Sequence, residues 1–106
     1  MKLDLHVHST ASDGACDPRE VVSRASRSGL DVISITDHDT TAGLGSALEA
    51  AANLRLHIIP GIEMSSTHED REYHILGYFV DPDAPALKAH ERTALDGRER
   101  RMIEMV

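Results

Sequence analysis

Aromatic residues are scarce in this sequence: its 106 residues include two tyrosines, one phenylalanine and no tryptophan. The single cysteine, Cys16, excludes an internal disulfide framework and a zinc site made of four cysteines. No run of about 18 uncharged apolar residues is present, so the sequence predicts no membrane span. Basic residues are also in the minority, since 11 Lys and Arg accompany 18 Asp and Glu and give a net charge of −7. This acidity disfavours an unassisted nucleic-acid-binding protein, although bound divalent metals would reverse it locally.

The amino terminus, MKLDLHVHST, is not typical of a secretory signal because Asp4 and His6 interrupt its apolar run. With a lone cysteine, the expected location is the cytoplasm. Histidine, by contrast, is abundant, with 7 residues against the three aromatic ones. This excess of histidine is the first indication of a chemically active site in the sequence.

Apolar blocks alternate with turn signals along the chain. They predict strands at 2–6, 30–35 and 56–62, a hairpin of 63–66 with 73–80, and helices at 18–28, about 41–53 and 84–106. Strands that alternate with helices at this spacing predict an α/β fold with a parallel sheet, in the order βαβαββα. This amounts to half of an α/β barrel, so residues 1–106 are expected to be the amino-terminal part of one larger domain. Residues 1–83 would supply barrel strands and helices, and residues 84–106 would begin a helical insertion.

Capping residues mark the predicted helix ends. Asp17 can cap the first helix, Glu20 can reach back to complete a capping box, and Gly29 ends it. Thr40 or Thr41 can cap the second helix. One face of the first helix carries Val21, Val22 and Ala25.

Two histidines stand two residues apart at the end of the first predicted strand. On an extended chain His6 and His8 share one face, with Cα atoms about 6.6 Å apart, and can grip a metal ion from one side. The polar loop that follows offers another carboxylate at Asp13. The alternative is a pair of surface histidines without a function.

A second polar cluster, TDHDT, follows the second predicted strand. In parallel α/β proteins the carboxyl ends of the strands gather on one rim, where the active site lies, so His38 is expected to meet His6 and His8 there. Asp37 or Asp39 could orient an imidazole. Their alternative role is to cap a helix and form a turn.

The third predicted strand ends in the same way, at PGIE. A buried Glu63 would be costly unless it were paired, and a carboxylate that bridges two cations is a good pairing. His74 lies in the next apolar strand. It is a further candidate ligand, or else a core histidine with a satisfied hydrogen bond.

In this order, these residues resemble the PHP (polymerase and histidinol phosphatase) domain family. The resemblance runs from Leu3 to about Val80 and is carried by the segments DLHVHSTASDG, ITDHDT, PGIEMSS and HILGYFVD. It implies a distorted (β/α)7 barrel with up to three metals facing the carboxyl ends of the strands. It further implies a first metal held by His6, His8 and Glu63, a second by Asp13 and His38, and a third by Glu63 and His74. The family's later ligands, a histidine from a middle strand and a closing Asp-x-His pair, have no counterpart in this sequence.

The SDG form at residues 12–14 resembles the branch of the family that hydrolyses nucleoside 3′,5′-bisphosphates and short RNA from the 5′ end. The resemblance therefore implies a metal-dependent phosphoesterase that uses metal-activated water and no serine or cysteine nucleophile. Mn²⁺ is the favoured metal, with Zn²⁺, Fe²⁺ and Mg²⁺ as alternatives. The alternative functions are a histidinol-phosphatase-like phosphomonoesterase and a non-catalytic metal-binding module.

Arg98 and Arg101 belong to the only basic cluster, on the last predicted helix. They could contact a substrate phosphate, or they could form a solvated helix face. Because an unclosed parallel sheet exposes an edge strand, self-association is also expected. The histidines left outside the predicted site are His57, His68 and His90.

Overall fold

Strands and helices alternate as far as residue 58, as the sequence predicts, and two further strands and a helix follow. The computed structural model describes the backbone of residues 1–104 and the side chains of residues 1–96. The elements are β1 (Leu3–Val7), α1 (Pro18–Arg27), β2 (Val32–Ile35), α2 (Leu44–Ala51), β3 (His57–Ile58), β4 (Gly61–His68), β5 (Arg71–Tyr78) and α3 (Pro85–Glu104). The first three strands form a parallel sheet in the order β1-β2-β3. Within the described residues, no helix combines the length and apolar character that a membrane span requires.

The predicted third strand, 56–62, is two strands in the structure. β3 pairs with β2, whereas β4 begins after Pro60 and forms an antiparallel hairpin with β5. Pro60 has no N–H to donate to a neighbouring strand, which makes it a natural break between them. β4 pairs with the segment that follows β2 through an isolated bridge between Glu63 and His38. The order of elements is therefore βαβαβββα instead of the expected βαβαββα, within the same α/β class.

The core lies between the parallel sheet and the two helices that connect its strands. The predicted inner face of α1 is confirmed, because Val21, Val22 and Ala25 are all buried. In α2 the buried residues are Ala47 and Ala51, whereas Leu48 is exposed. The buried apolar cluster comprises Val21, Val22, Ala25, Ile33, Ile35, Ala47, Ala51 and Leu56.

The ends of α1 follow the predicted capping residues with one exception. The Asp17 carboxylate accepts a hydrogen bond from the Glu20 N–H at 2.9 Å. The Glu20 side chain does not complete a capping box, because it accepts a hydrogen bond from Arg24 one turn further along. Gly29 ends the helix at φ +81°, and the Leu30 N–H donates to the Ala25 carbonyl, which is the Schellman arrangement.

The start of α2 corrects the sequence prediction. Its N-cap is Gly43, which makes no side-chain capping bond, and neither Thr40 nor Thr41 caps the helix. The Thr40 hydroxyl instead accepts a hydrogen bond from the Ala42 N–H at 3.0 Å, inside the loop that leads into the helix.

Candidate metal centre

The carboxyl ends of β1 and β2 meet the start of β4 on one rim, and backbone hydrogen bonds fix their relative positions. The Thr36 N–H donates to the Val7 carbonyl at 2.7 Å. The Glu63 N–H donates to the Asp37 carbonyl at 3.0 Å, and the Asp39 N–H donates to the Glu63 carbonyl at 2.9 Å. Side chains from three separate parts of the chain are thereby held close together.

Glu63 lies at the centre of this rim and is only 4% exposed. Its Oε1 is 2.6 Å from His6 Nε2 and 3.4 Å from His8 Nε2. Its Oε2 is 2.9 Å from His38 Nδ1 and 3.0 Å from His74 Nδ1. Four imidazoles from three segments of the chain therefore share one buried carboxylate.

Asp13 joins two of these imidazoles on the solvent side. Its Oδ1 is 2.6 Å from His8 Nδ1, and its Oδ2 is 3.1 Å from His38 Nε2. His8 and His38 thus each have one ring nitrogen towards Asp13 and the other towards Glu63. All six predicted ligands come together, in three overlapping groups: His6, His8 and Glu63; His8, Asp13 and His38; and His38, Glu63 and His74.

The neighbouring groups shift the acidities in this cluster. Burial raises the pKa of Glu63, but hydrogen bonds with His74 and His6 and the charges of His38 and His8 outweigh it, so the pKa lies below its usual value. The pKa of Asp13 is also lowered, because its contacts with His8 and His38 outweigh its desolvation. Both carboxylates are therefore ionised near neutral pH and available as ligands.

The donors in this cluster fit a divalent metal ion. His8 Nε2 is buried and has no hydrogen-bond partner among the described residues. A neutral imidazole that donates from Nδ1 to Asp13 presents a lone pair at Nε2, which then faces the Glu63 carboxylate. A cation bound between the lone pair of His8 Nε2 and the Glu63 carboxylate would remove the repulsion between them. Two ligand atoms on one ion, each bound at about 2.1 Å, stand about 3.0–3.4 Å apart, which is comparable to the nitrogen–oxygen distances here.

Asp37 has a different role from the one predicted. It is 2% exposed, and its carboxylate accepts hydrogen bonds from the Ser9 N–H and hydroxyl, both at 2.6 Å, and from the Ser12 hydroxyl at 2.7 Å. Asp37 therefore orients the loop that carries Asp13. It does not orient an imidazole. The same loop closes tightly at Gly14, where an added Cβ would lie 2.5 Å from the His8 carbonyl oxygen.

Asp39 does contact an imidazole, but it is one that the sequence did not assign to the site. Its Oδ1 lies 2.8 Å from His90 Nε2, on α3. Nothing in the local pattern around His90 marked it, because the contact depends on how α3 packs. The other two unassigned histidines, His57 and His68, are exposed. The side chains of Arg98 and Arg101 lie outside the described residues.

An open cavity of about 850 Å³ lies beside the cluster. Its wall includes Asp13, His38 and His74 from the cluster and His90 from α3. A cavity of this size can hold a small nucleotide next to the metal ligands.

Comparisons with known proteins agree with this architecture. The family model described as the PHP domain matches residues 4–94. The chain is 41% identical over 104 residues to a 5'-3' exoribonuclease of Haemophilus influenzae, covering 98% of this chain and 38% of that protein. It is 40% identical over 103 residues to a 3',5'-nucleoside bisphosphate phosphatase of Chromobacterium violaceum, covering 97% of this chain and 36% of that protein.

A solved structure gives the same result. An amidohydrolase from Chromobacterium violaceum, determined with bound sulfate and no metal, matches with a TM-score of 0.92 at 39% identity, over 99% of this chain and 37% of that one. The chain thus spans little more than a third of the length of the relatives it matches. Because the family match extends over most of its residues, the chain belongs to the PHP domain family.

Proposed function

We propose that this chain is part of a metal-dependent phosphoesterase that hydrolyses small phosphorylated nucleotides, either nucleoside 3′,5′-bisphosphates or the 5′ ends of short RNA. One observation carries the proposal: the buried Glu63 carboxylate is shared by four imidazoles beside an open cavity. Titratable groups packed this closely in a cleft are typical of functional sites. The activities named for the two relatives, an exoribonuclease and a bisphosphate phosphatase, support the class of substrate.

We further propose that the chain forms the amino-terminal part of one PHP domain, with barrel elements in residues 1–83 and the start of a helical insertion in residues 84–106. The greater length of the relatives supports a domain that is completed by further residues. The cytoplasmic location expected from the sequence stays a prediction.

The metal ligands in this proposal are the three overlapping groups of the cluster, built from His6, His8, Asp13, His38, Glu63 and His74. Bound divalent ions supply Lewis-acid activation of a water molecule and neutralise the charge on the phosphoryl oxygens. Imidazole and carboxylate donors without cysteine suit Mn²⁺, Zn²⁺ or Fe²⁺, and among these we propose Mn²⁺.

The protein's own residues hold and orient the reactants. His8 and His38 are fixed in ring orientation because each lies between Asp13 and Glu63. Asp13 also lines the cavity, which places one of the proposed metal ligands where a substrate can reach it. Cys16 packs against the apolar core, which agrees with a reaction that needs no side-chain nucleophile.

The test is phosphate release from adenosine 3′,5′-bisphosphate by the complete protein with added Mn²⁺. We expect His8→Ala and Glu63→Gln each to lower the rate at least about 100-fold, because each removes a metal ligand. The matched control is His57→Ala, which removes an exposed histidine at the start of β3 and leaves the rate unchanged. Histidinol phosphate, assayed in parallel, is expected to be the poorer substrate.

Two results would contradict the proposal. Unchanged turnover in both variants would separate the cluster from the chemistry. Stoichiometric metal binding by the wild-type protein without hydrolysis of either substrate would instead indicate a non-catalytic metal-binding module.

A further inference from the structure

His90 lines the same cavity as the metal cluster but belongs to none of its three ligand groups. Its Nε2 lies 2.8 Å from Asp39 Oδ1, which also accepts a hydrogen bond from the Ser65 N–H at 2.7 Å. One residue further along α3, the Glu91 carboxylate accepts a hydrogen bond from the Thr40 hydroxyl. Two adjacent residues of α3 are therefore tied to the loop after β2, so the imidazole is held in a defined orientation.

The contact with Asp39 fixes the position of the ring proton. Asp39 is buried, and its Oδ1 already accepts a hydrogen bond from the Ser65 N–H. The same oxygen faces His90 Nε2 as an acceptor, so an imidazole with one ring proton carries that proton on Nε2. Nδ1 is then a hydrogen-bond acceptor, and it makes no hydrogen bond within the described part of the chain.

The rest of the cavity wall indicates what this acceptor binds. Away from the metal cluster, the wall carries hydroxyl and carboxylate groups from Ser65, Thr67, Asp70, Glu72 and Thr93. Among the described residues, no lysine or arginine lines it. Carboxylates repel a second phosphate, whereas they and Nδ1 of His90 accept hydrogen bonds from hydroxyl groups. This part of the cavity therefore suits a sugar better than a further anion.

We propose that His90, oriented by Asp39, is a specificity-determining residue that accepts a hydrogen bond from a ribose hydroxyl of the substrate. This role rests on the proposed function, because it requires the phosphate of the same nucleotide to lie at the metal cluster. The hydroxyl concerned is the 2′-OH, which is free both in a nucleoside 3′,5′-bisphosphate and along an RNA strand. The consequence is a preference for ribonucleotides over 2′-deoxyribonucleotides.

The test measures equilibrium binding of two nucleotides that differ only in the 2′-OH. Adenosine 5′-monophosphate and 2′-deoxyadenosine 5′-monophosphate are titrated into the complete, Mn²⁺-loaded protein by calorimetry. We expect the wild-type protein to bind the ribonucleotide about fivefold more tightly, the usual effect of one neutral hydrogen bond. His90→Ala is expected to abolish this ratio by weakening only the ribonucleotide.

Two further variants control the experiment. His90→Gln keeps a donor for Asp39 but has no acceptor at the position of Nδ1, so it is expected to lose the ratio while α3 stays attached. Lys88→Ala alters an exposed side chain on the same helix and outside the cavity wall, so it is expected to keep the ratio. If His90→Ala does not fold, His90→Gln decides the result alone.

Four results would overturn the inference. A ribonucleotide-to-deoxyribonucleotide affinity ratio near one in the wild-type protein would show that the 2′-OH is not recognised. A ratio that is kept in both His90 variants would show that His90 does not contact the 2′-OH. Equal weakening of both nucleotides assigns His90 to a phosphate instead. If metal-loaded wild-type protein binds neither nucleotide, the proposed function fails and this role fails with it, whereas the first three results leave the proposed function intact.

Discussion

His74 is the imidazole of the cluster whose proton affinity differs most clearly from an ordinary histidine. Its hydrogen bond to Glu63 raises the pKa of His74 above the usual 6.5, desolvation opposes this, and the charge of Glu72 adds to the rise. In the metal-free protein, this protonated pair stabilises the fold below the usual pKa, and the stabilisation is lost as the pH rises through the raised value. The affinity for a metal ion has the opposite pH dependence and increases as the pH rises, because an ion can bind the ring only after the proton leaves.

We therefore expect the apparent affinity for Mn²⁺ to increase as the pH rises from below to above the usual histidine pKa of 6.5, and to do so at higher pH than an unperturbed histidine would require. Glu72→Gln lowers the pKa of His74, so the increase shifts to lower pH. Glu69→Gln, which removes an exposed carboxylate of the same hairpin, is the matched control and leaves the profile in place. Metal titrations at fixed ionic strength give the measurement, and an affinity that is constant over this range would contradict the expectation.

At the scale of elements, the loop between β1 and α1 decides where Asp13 lies. Asp37 holds the loop through Ser9 and Ser12, and the Gly14 N–H donates to the Ser9 carbonyl at 2.8 Å. The atoms nearest to a Cβ at Gly14 belong to the backbone of His8 and Ser9, at 2.5–2.7 Å. Backbone atoms cannot swing away as a flexible side chain can, so any side chain here displaces the loop.

Gly14→Ala is accordingly expected to lower the free energy of unfolding by about 1–3 kcal/mol and to weaken metal binding by moving Asp13. Gly45→Ala is the matched control. It lies in α2, where an added Cβ meets nothing within 4 Å, and the change from glycine to alanine favours a helix by up to about 1 kcal/mol. Denaturant unfolding and a metal titration of both variants test this pair. Equal stabilities would show that the loop tolerates a side chain at Gly14.

At the scale of the whole molecule, the described part of the parallel sheet has β1 and β3 at its edges. Exposed strand edges pair with other chains unless a charge or a covering element prevents it. Leu3 in β1 is 53% exposed, so this edge offers one accessible apolar side chain beside the exposed Asp4 and His6. The sequence prediction of self-association has a structural basis here and stays a prediction.

The 106-residue chain is expected to form dimers or larger species as its concentration rises, as measured by sedimentation velocity. Leu3→Lys places a charge on the β1 edge and should reduce the association. Leu48→Lys changes a leucine of similar exposure on α2 and is the control, with no effect expected. A strictly monomeric profile at high concentration, or equal effects of the two substitutions, would refute association through this edge.

The sequence by itself determined the class of fold and the residues that gather on the rim. The buried face of α1, the caps at Asp17 and Gly29, and the pairing of β1 with β2 follow from periodicity and local chemistry, which act over a few residues. His6, His8, His38 and Glu63 could be grouped in advance because the ends of parallel strands necessarily meet at one edge of a sheet.

Only the tertiary structure decided which of these side chains share an atom. The sharing of Glu63 by four imidazoles depends on the break at Pro60, which starts β4 as a new strand and pairs Glu63 with His38. The contact between His90 and Asp39 joins residues 51 positions apart and depends on the direction in which α3 packs. No local pattern encodes such contacts, because they arise from the packing of whole elements and not from the propensities of the residues that make them.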